Sequence, residues 1–493
     1  MALYMAGMLG IGWWAYRQTS DLGDYMLAGR DLKPGVAALS AGASDMSGWL
    51  LMGLPGALYL GGLFQAWIAI GLTIGAWLNW KFVAPRLRAY TEVSNDSITV
   101  PSFLENRLKD KSHILRIASG VIILVFFTFY VSSGLVAGGV FFESSFHSSY
   151  MMGILVVGGV TILYTLFGGF LGASYTDVAQ GLLVFAALIL VPVVGVIHTG
   201  GVAATIESIN QVNPNMFSLV AGGTVLGAIS AAAWGLGYFG QPHIIVRFMA
   251  LRSPADAKAG RRIGIGWMLM TVLGTTATAM VGIAYFQQHP ELKLSDPEAV
   301  FLELANIFFH PFIAGMVLAA VLAAIMSTIS SQLLVCSSAL VEDLYKIVVK
   351  KDAPAKTQVM LGRLGVLIVA VVAVMLASAR NDSILGLVAF AWAGFGAAFG
   401  PIVILSLYWR KLTTAGALAG MLTGAVTVVL WNKSPLAASL YEIVPGFFFN
   451  LLVAIVVSLL TFKHDAGIDE EFSQSLRMLK AEKAAPEKVT VDA

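Results

Sequence analysis

The feature that most constrains this chain is a series of uninterrupted apolar stretches that recurs along nearly its whole length. They run to about 20 residues, enough to cross a hydrocarbon core of roughly 30 Å as a helix. A transmembrane β-barrel would show alternating segments of about ten residues instead, so the continuous runs predict helices. Only 12% of the 493 residues are charged, against roughly a quarter in a soluble domain. The sequence therefore predicts an all-α polytopic membrane protein. Cys336 is the only cysteine and lies within an apolar stretch, which leaves no disulfide framework or cysteine metal site and suggests a packing role.

Apolar spans are placed at 1–16, 36–62, 64–84, 115–141, 151–172, 178–198, 217–246, 263–286, 305–340, 359–379, 384–409, 415–432 and 440–462, giving about 13 transmembrane helices. Span 1–16 is short and reads as a truncated first helix; it lacks the basic region of a signal peptide. Basic residues accumulate on the cytoplasmic side of membrane proteins. Here 27 Lys and Arg fall on one side and 3 (Lys293, Arg380, Lys433) on the other. The expected orientation has the N-terminus periplasmic and the C-terminus cytoplasmic, in a bacterial inner membrane. That topology needs an odd number of spans, and thirteen satisfies it. Residues 463–493 are polar with mixed charge and read as a solvated cytoplasmic tail. The basic residues sit in loops and form no nucleic-acid face.

In lipid every backbone polar group needs a partner, so small and polar residues inside a span mark close helix packing or a broken helix lining a cavity. Three places do so. The first is Ala41-Gly42-Ala43-Ser44-Asp45-Met46-Ser47-Gly48-Trp49 in the second span, followed by Gly53 and Pro55. A carboxylate in mid-span is unfavourable by roughly 3 kcal/mol on insertion scales, so Asp45 should face a cation, a cavity or a buried donor. An unwound segment here would free carbonyls for a cation. The other reading makes Asp45 a structural carboxylate capping a half-helix.

The second place is Ala323-Ala324-Ile325-Met326-Ser327-Thr328-Ile329-Ser330-Ser331-Gln332 in the ninth span. Ala324, Ser327 and Thr328 stand at i, i+3 and i+4 on one helix face. A carbonyl and two hydroxyls suit a small hard cation, since hard cations prefer oxygen. Alternatively the hydroxyls bond their own helix carbonyls. The third is Ala233-Trp234-Gly235-Leu236-Gly237-Tyr238-Phe239-Gly240-Gln241-Pro242-His243 in the seventh span, where three glycines and a proline predict a discontinuous helix. Trp234 and Tyr238, at i and i+4, would present two aromatics to one side, as the wall of an apolar ring site or as packing. His243, near the cytoplasmic end, reads as a satisfied structural histidine rather than a proton relay. Asp177 starts the sixth span, where it either caps the helix or takes part in an inner gate. Tyr130 lies mid-span with a hydroxyl that needs a partner, in a pocket or in packing.

The broken second and seventh spans are five helices apart, and an odd offset points them in opposite directions across the membrane. That is the mark of an inverted repeat, in which discontinuous helices hold substrate and ion near the midplane. The expected divisions are a first repeat at 36–198, a second at 217–409, two further transmembrane helices in 415–462 and the tail.

These same residues, Ser40 to Trp49, Trp234 to His243 and Met326-Ser327-Thr328, together with the late Lys411, Gly416, Ala417 and Gly420 pattern, resemble the sodium/solute symporter family, and within it the bacterial sodium/proline symporters. The similarity runs from about Asp24 to about Phe462. It implies a LeuT-like fold with two inverted five-helix repeats and alternating access. It also implies a sodium site of the Ala43, Met46 and Ala324 carbonyls with the Ser327 and Thr328 hydroxyls, supported by Asp45, and Asp177 on the cytoplasmic ion route. Ser47, Gly53, Tyr130, Trp234, Tyr238 and Pro242 would border a proline pocket. The implied partners are L-proline, sodium as coupling ion and membrane lipid. No other cofactor and no obligatory protein partner is implied. The first helix is shorter than the family's usual one.

The runner-up is a sodium- or proton-coupled symporter of another small solute, such as a vitamin, sugar or carboxylate. A membrane enzyme is opposed by the lack of a nucleophile with a base, a phosphate loop or a metal-ligand cluster in the spans. A sensor is opposed by the short tail, and a channel would lack saturable sodium-dependent uptake.

Overall fold

The computed structural model describes residues 2–17, 27–348, 354–379 and 383–484. Asp24, the Lys350, Lys351 and Arg380 counted in the charge asymmetry, and the tail from 485 lie outside the described residues. Among the described residues, nine helical stretches are long and apolar enough to cross a membrane. Tyr150–His198 covers two of the expected spans and Trp49–Val93 covers the third with the second half of the second, so that with Pro34–Asp45, the broken seventh span and the short Ala2–Tyr16 helix each of the thirteen expected spans has its helix.

The breaks define the architecture. The second span runs as Pro34–Asp45, leaves the helix at Met46 (φ −79°, ψ 77°), resumes as a wide π-type turn over Trp49–Gly53 and continues as Leu54–Gly61. The seventh runs as Val225–Ala232, tightens to a 3-10 helix over Ala233–Gly240 and restarts at Pro242–Met249. Its helix begins at Val225, later than the expected 217, because 218–224 form turns.

The expected boundary between the fifth and sixth spans shifts. Tyr150–His198 is one helical run of 49 residues, about 73 Å at 1.5 Å per residue and more than twice a bilayer core. Its backbone turns at Gly169 (φ 57°, ψ −157°), a conformation essentially closed to residues with a Cβ. The break thus falls at 169 rather than between 172 and 178.

The 3-10 segment of the seventh span is gripped by close backbone contact. A Cβ at Gly75 would lie 2.2 Å from the Gly235 carbonyl, and one at Gly237 would lie 1.9 Å from Trp392 Nε1. The glycines read in sequence as helix breakers are therefore also the surfaces on which the third and eleventh spans, here Ala66–Val93 and Ile384–Tyr408, approach.

Part of the expected solvated tail is ordered. Ala466–Ala484 is a helix packed on Ala84–Val93. Phe472 is buried at its centre, edge-on to Tyr90 at 5.9 Å, with the Arg410 guanidinium 4.7 Å from its ring. Asp465 caps the helix, accepting from the Ile468 N–H at 3.0 Å. That bond holds its pKa below the usual carboxylate value.

Candidate functional site

The break in the second span leaves several carbonyls without their helical donors, that of Ala43 among them. In a continuous helix the Ala43 carbonyl would accept from the Ser47 N–H, but that N–H turns back to the Asp45 carbonyl at 2.9 Å. Ala43 accepts instead from across the molecule, from Ser327 Oγ at 2.7 Å and Thr328 Oγ1 at 3.5 Å. The same hydroxyls donate to the Ala324 carbonyl at 3.0 and 3.2 Å. Two carbonyls and two hydroxyls, all buried, thus meet between the second and ninth spans. The own-helix bonding given as the alternative is thus present, alongside the bonds that reach across to the second span. Met46 takes no part in these bonds; it is the residue at which the chain leaves the helix, and its N–H donates to the Gly42 carbonyl at 2.8 Å. Tyr164 donates to the Met326 carbonyl at 2.9 Å and holds the ninth span from the fifth. The donor set is all oxygen and uncharged, which fits a small hard cation better than a soft metal.

Asp45 faces the other way. Its Oδ2 accepts a hydrogen bond from the Tyr238 hydroxyl, and its Oδ1 is buried without a hydrogen-bond partner. Its backbone carbonyl accepts from Trp49 Nε1 at 2.9 Å. The carboxylate therefore ties the second-span break directly to the seventh-span break, and is not part of the hydroxyl cluster.

The aromatic wall departs from the expectation of two rings on one helix face. In a 3-10 helix residues i and i+4 diverge by about 120°, because there are three residues per turn. Trp234 and Tyr238 accordingly flank a third ring, Trp392 of the eleventh span. Tyr238 meets it edge-on at 5.2 Å and Trp234 is stacked at 6.4 Å, with Tyr441 stacked on Trp234 at 5.3 Å. Trp392 also bonds residues on both sides of the break: its Nε1 donates to the Trp234 backbone carbonyl at 2.7 Å, and its own carbonyl accepts from the Gln241 side-chain Nε2 at 3.0 Å.

The other expected pocket residues divide. Pro242 begins the second half of the seventh span, where its missing N–H costs nothing. Tyr130 is buried with an unpartnered hydroxyl and lies edge-on to His243 at 5.8 Å. His243 is buried with both ring nitrogens unpartnered, so it is not a histidine satisfied by protein groups. Ser47 lies at the break and accepts weakly from the Trp49 N–H at 3.4 Å. Gly53 is a close-approach position: a Cβ there would come within 3.2 Å of Leu385 Cβ on the eleventh span.

Asp177 does not cap a helix. It lies eight residues past the Gly169 turn, fully buried. Its Oδ2 accepts from Ser40 Oγ at 2.7 Å and from Arg247 Nη2 at 3.1 Å. Arg247 further donates to the Ser331 hydroxyl at 2.7 Å, the Ser40 hydroxyl at 3.1 Å and the His243 carbonyl at 2.5 Å. One guanidinium thus joins the second, sixth, seventh and ninth spans. Sequence reading counted Arg247 as a loop charge; its position four residues after His243, on the same helix face, was the available signal. Trp392 was missed as well, and its signal was a tryptophan inside the glycine-rich Ala391-Trp392-Ala393-Gly394-Phe395-Gly396 run.

The model of the sodium:solute symporter family matches residues 25–424. The chain belongs to the sodium:solute symporter family. It is 57% identical to a high-affinity proline transporter of Bacillus subtilis, over 94% of this chain and 98% of that one. It is 50% identical to a sodium/proline symporter of Escherichia coli, over 96% of this chain and 95% of that one. Among solved structures, a sodium-coupled sialic acid symporter superposes with a TM-score of 0.79 at 18% identity, covering 93% of this chain and 96% of that one. That likeness carries the fold, the LeuT-like architecture of the sequence expectation. The chain is a multi-pass membrane protein and, like its family, a transporter rather than an enzyme.

Proposed function

We propose that this chain carries L-proline into the cell together with sodium, by alternating access. The observation that carries the reading is the Tyr238–Asp45 hydrogen bond. It links a set of uncharged oxygens suited to sodium to an aromatic enclosure suited to a small apolar ring, so either ligand biases the shape of the other's site. Proline as the solute is supported by the names of the relatives at 57% and 50% identity.

In this reading the Ala43, Met46 and Ala324 carbonyls and the Ser327 and Thr328 hydroxyls hold sodium, with Asp45 in support. Sodium takes over the carbonyls that the hydroxyl protons now occupy, and stiffens the second-span break. The stiffened break seats Asp45 against Tyr238. Trp234, Tyr238 and Tyr130 enclose the pyrrolidine ring, with Ser47, Gly53 and Pro242 at the margins. Sodium should therefore tighten proline binding, and proline should tighten sodium binding by the same factor. Asp177, bound to Arg247, stands on the cytoplasmic ion route. The repeats are 36–198 and 217–409, flanked by the first helix and the two last spans. The charge asymmetry supports a periplasmic N-terminus and a cytoplasmic C-terminus in the inner membrane.

The test is uptake of radiolabelled proline into proteoliposomes under an imposed sodium gradient, with other amino acids as competitors. Saturable uptake that needs sodium and yields only to close proline analogues is expected. Uptake driven equally by a proton gradient alone, or not competed by unlabelled proline, refutes the reading. Tags at the two ends, probed in intact cells, check the orientation.

A further inference from the structure

The eleventh span carries Pro401 in its interior. A proline has no N–H and crowds the carbonyl four residues earlier, which here is that of Ala397. Within a membrane such a freed carbonyl must find another donor. It finds one on the thirteenth span. Asn450 is fully buried, and its side-chain Nδ2 donates to the Ala397 carbonyl at 2.6 Å and the Ala398 carbonyl at 2.8 Å. Glycines make the room: a Cβ at Gly424 would lie 2.2 Å from the Ala397 carbonyl, and one at Gly420 would lie 2.4 Å from Asn450 Oδ1. The sixth span handles its own interior proline differently. The Leu188 carbonyl, four residues before Pro192, lies against Gly274, where a Cβ would approach to 2.2 Å.

The Pro401 turn of the eleventh span adjoins the aromatic enclosure. A Cβ at Gly240 would meet the Phe395 carbonyl at 2.3 Å and the Gly400 nitrogen at 2.7 Å. Trp392, five residues before Ala397, is bonded to the Trp234 carbonyl and the Gln241 amide. We propose that Asn450 is a positioning residue for transport. By supplying the donor that Pro401 cannot, it holds the eleventh span at Ala397 and Ala398 and thereby the seat of Trp392 against the broken seventh span. A residue outside the two repeats thus sets the geometry of the enclosure. The inference rests on the reading of that enclosure as the solute pocket.

The test is a double-mutant cycle of Asn450→Leu and Pro401→Ala in the full chain. It is read as KM and kcat for proline in sodium-driven proteoliposome uptake, and as the thermal midpoint of the purified protein. Asn450→Leu is expected to raise KM about tenfold with a smaller change in kcat, the scale of a buried carbonyl left unpaired. With alanine at 401, that residue's own N–H serves Ala397, and Asn450→Leu should then raise KM less than about threefold. Equal factors in the two backgrounds, or an unchanged KM after Asn450→Leu alone, overturn the proposal. Where the Pro401→Ala variants do not transport, strictly additive thermal midpoints overturn it and positive coupling supports it. Absence of sodium-driven proline uptake by the unaltered chain would count against the transport reading instead, and the thermal cycle would still decide whether Asn450 serves the carbonyl that Pro401 frees.

Discussion

Tyr238→Phe is the sharpest perturbation of the link between ion and solute. It deletes one oxygen and keeps the ring against Trp392. Asp45 Oδ1 is already unpartnered, so the variant also strips Oδ2 of its Tyr238 hydrogen bond. A hydrogen bond to a charged group contributes about 1.5–3 kcal/mol net, or roughly 10- to 150-fold in an equilibrium constant at 1.36 kcal/mol per decade. Because the bond joins the second-span break to the aromatic wall, its loss should fall mainly on coupling. The assay is proline binding to purified protein with and without sodium. The ratio of the two dissociation constants should shrink by about that factor, while proline affinity without sodium moves little, since the wall is intact. By reciprocity the effect of proline on sodium affinity should shrink equally. A ratio unchanged within about threefold, with both affinities intact, would show that the Tyr238–Asp45 contact carries no coupling and would refute the reasoning.

Three further outcomes follow from named contacts. Ser327→Ala removes a hydroxyl 2.7 Å from the Ala43 carbonyl and should raise the sodium concentration for half-maximal uptake about tenfold; Thr328→Val, whose hydroxyl stands at 3.5 Å, should raise it less. Asp177→Asn leaves the buried Arg247 guanidinium uncompensated and should lower stability by about 3–5 kcal/mol in thermal or denaturant unfolding, with partial recovery in the Asp177→Asn, Arg247→Gln double variant. Gly237→Ala places a methyl 1.9 Å from Trp392 Nε1 and should abolish uptake, whereas Gly266→Ala on the eighth span, with nothing within 4 Å, should leave it unchanged in the same assay.

Much of this molecule was legible in its sequence. The spans were fixed by length and apolar continuity, and the two breaks by small residues and a proline where lipid tolerates no irregular backbone. The Ala324, Ser327 and Thr328 face needed only helical spacing. The Trp234 and Tyr238 pair was misread because the i, i+4 rule assumes an α-helix, and close packing on Gly71, Gly75 and Trp392 winds the segment into a 3-10 helix. The Gly169 turn was displaced because several glycines near it could equally have taken a positive φ. The C-terminal helix was missed because its polar face hides the single anchoring ring of Phe472.

What the sequence alone determined was local: which segments enter the membrane, which side carries the positive charge, and where the helices cannot continue. What only the tertiary structure decided was partnership. A freed carbonyl such as that of Ala43 or Ala397 announces a need for a donor, and the residues that meet it, Ser327 and Asn450, lie 284 and 53 positions away. The same holds for Asp45 with Tyr238 and Asp177 with Arg247, whose separations of 193 and 70 residues no periodicity spans. Hydrogen-bond deficits are written along the chain, but the folded arrangement of helices chooses the groups that fill them.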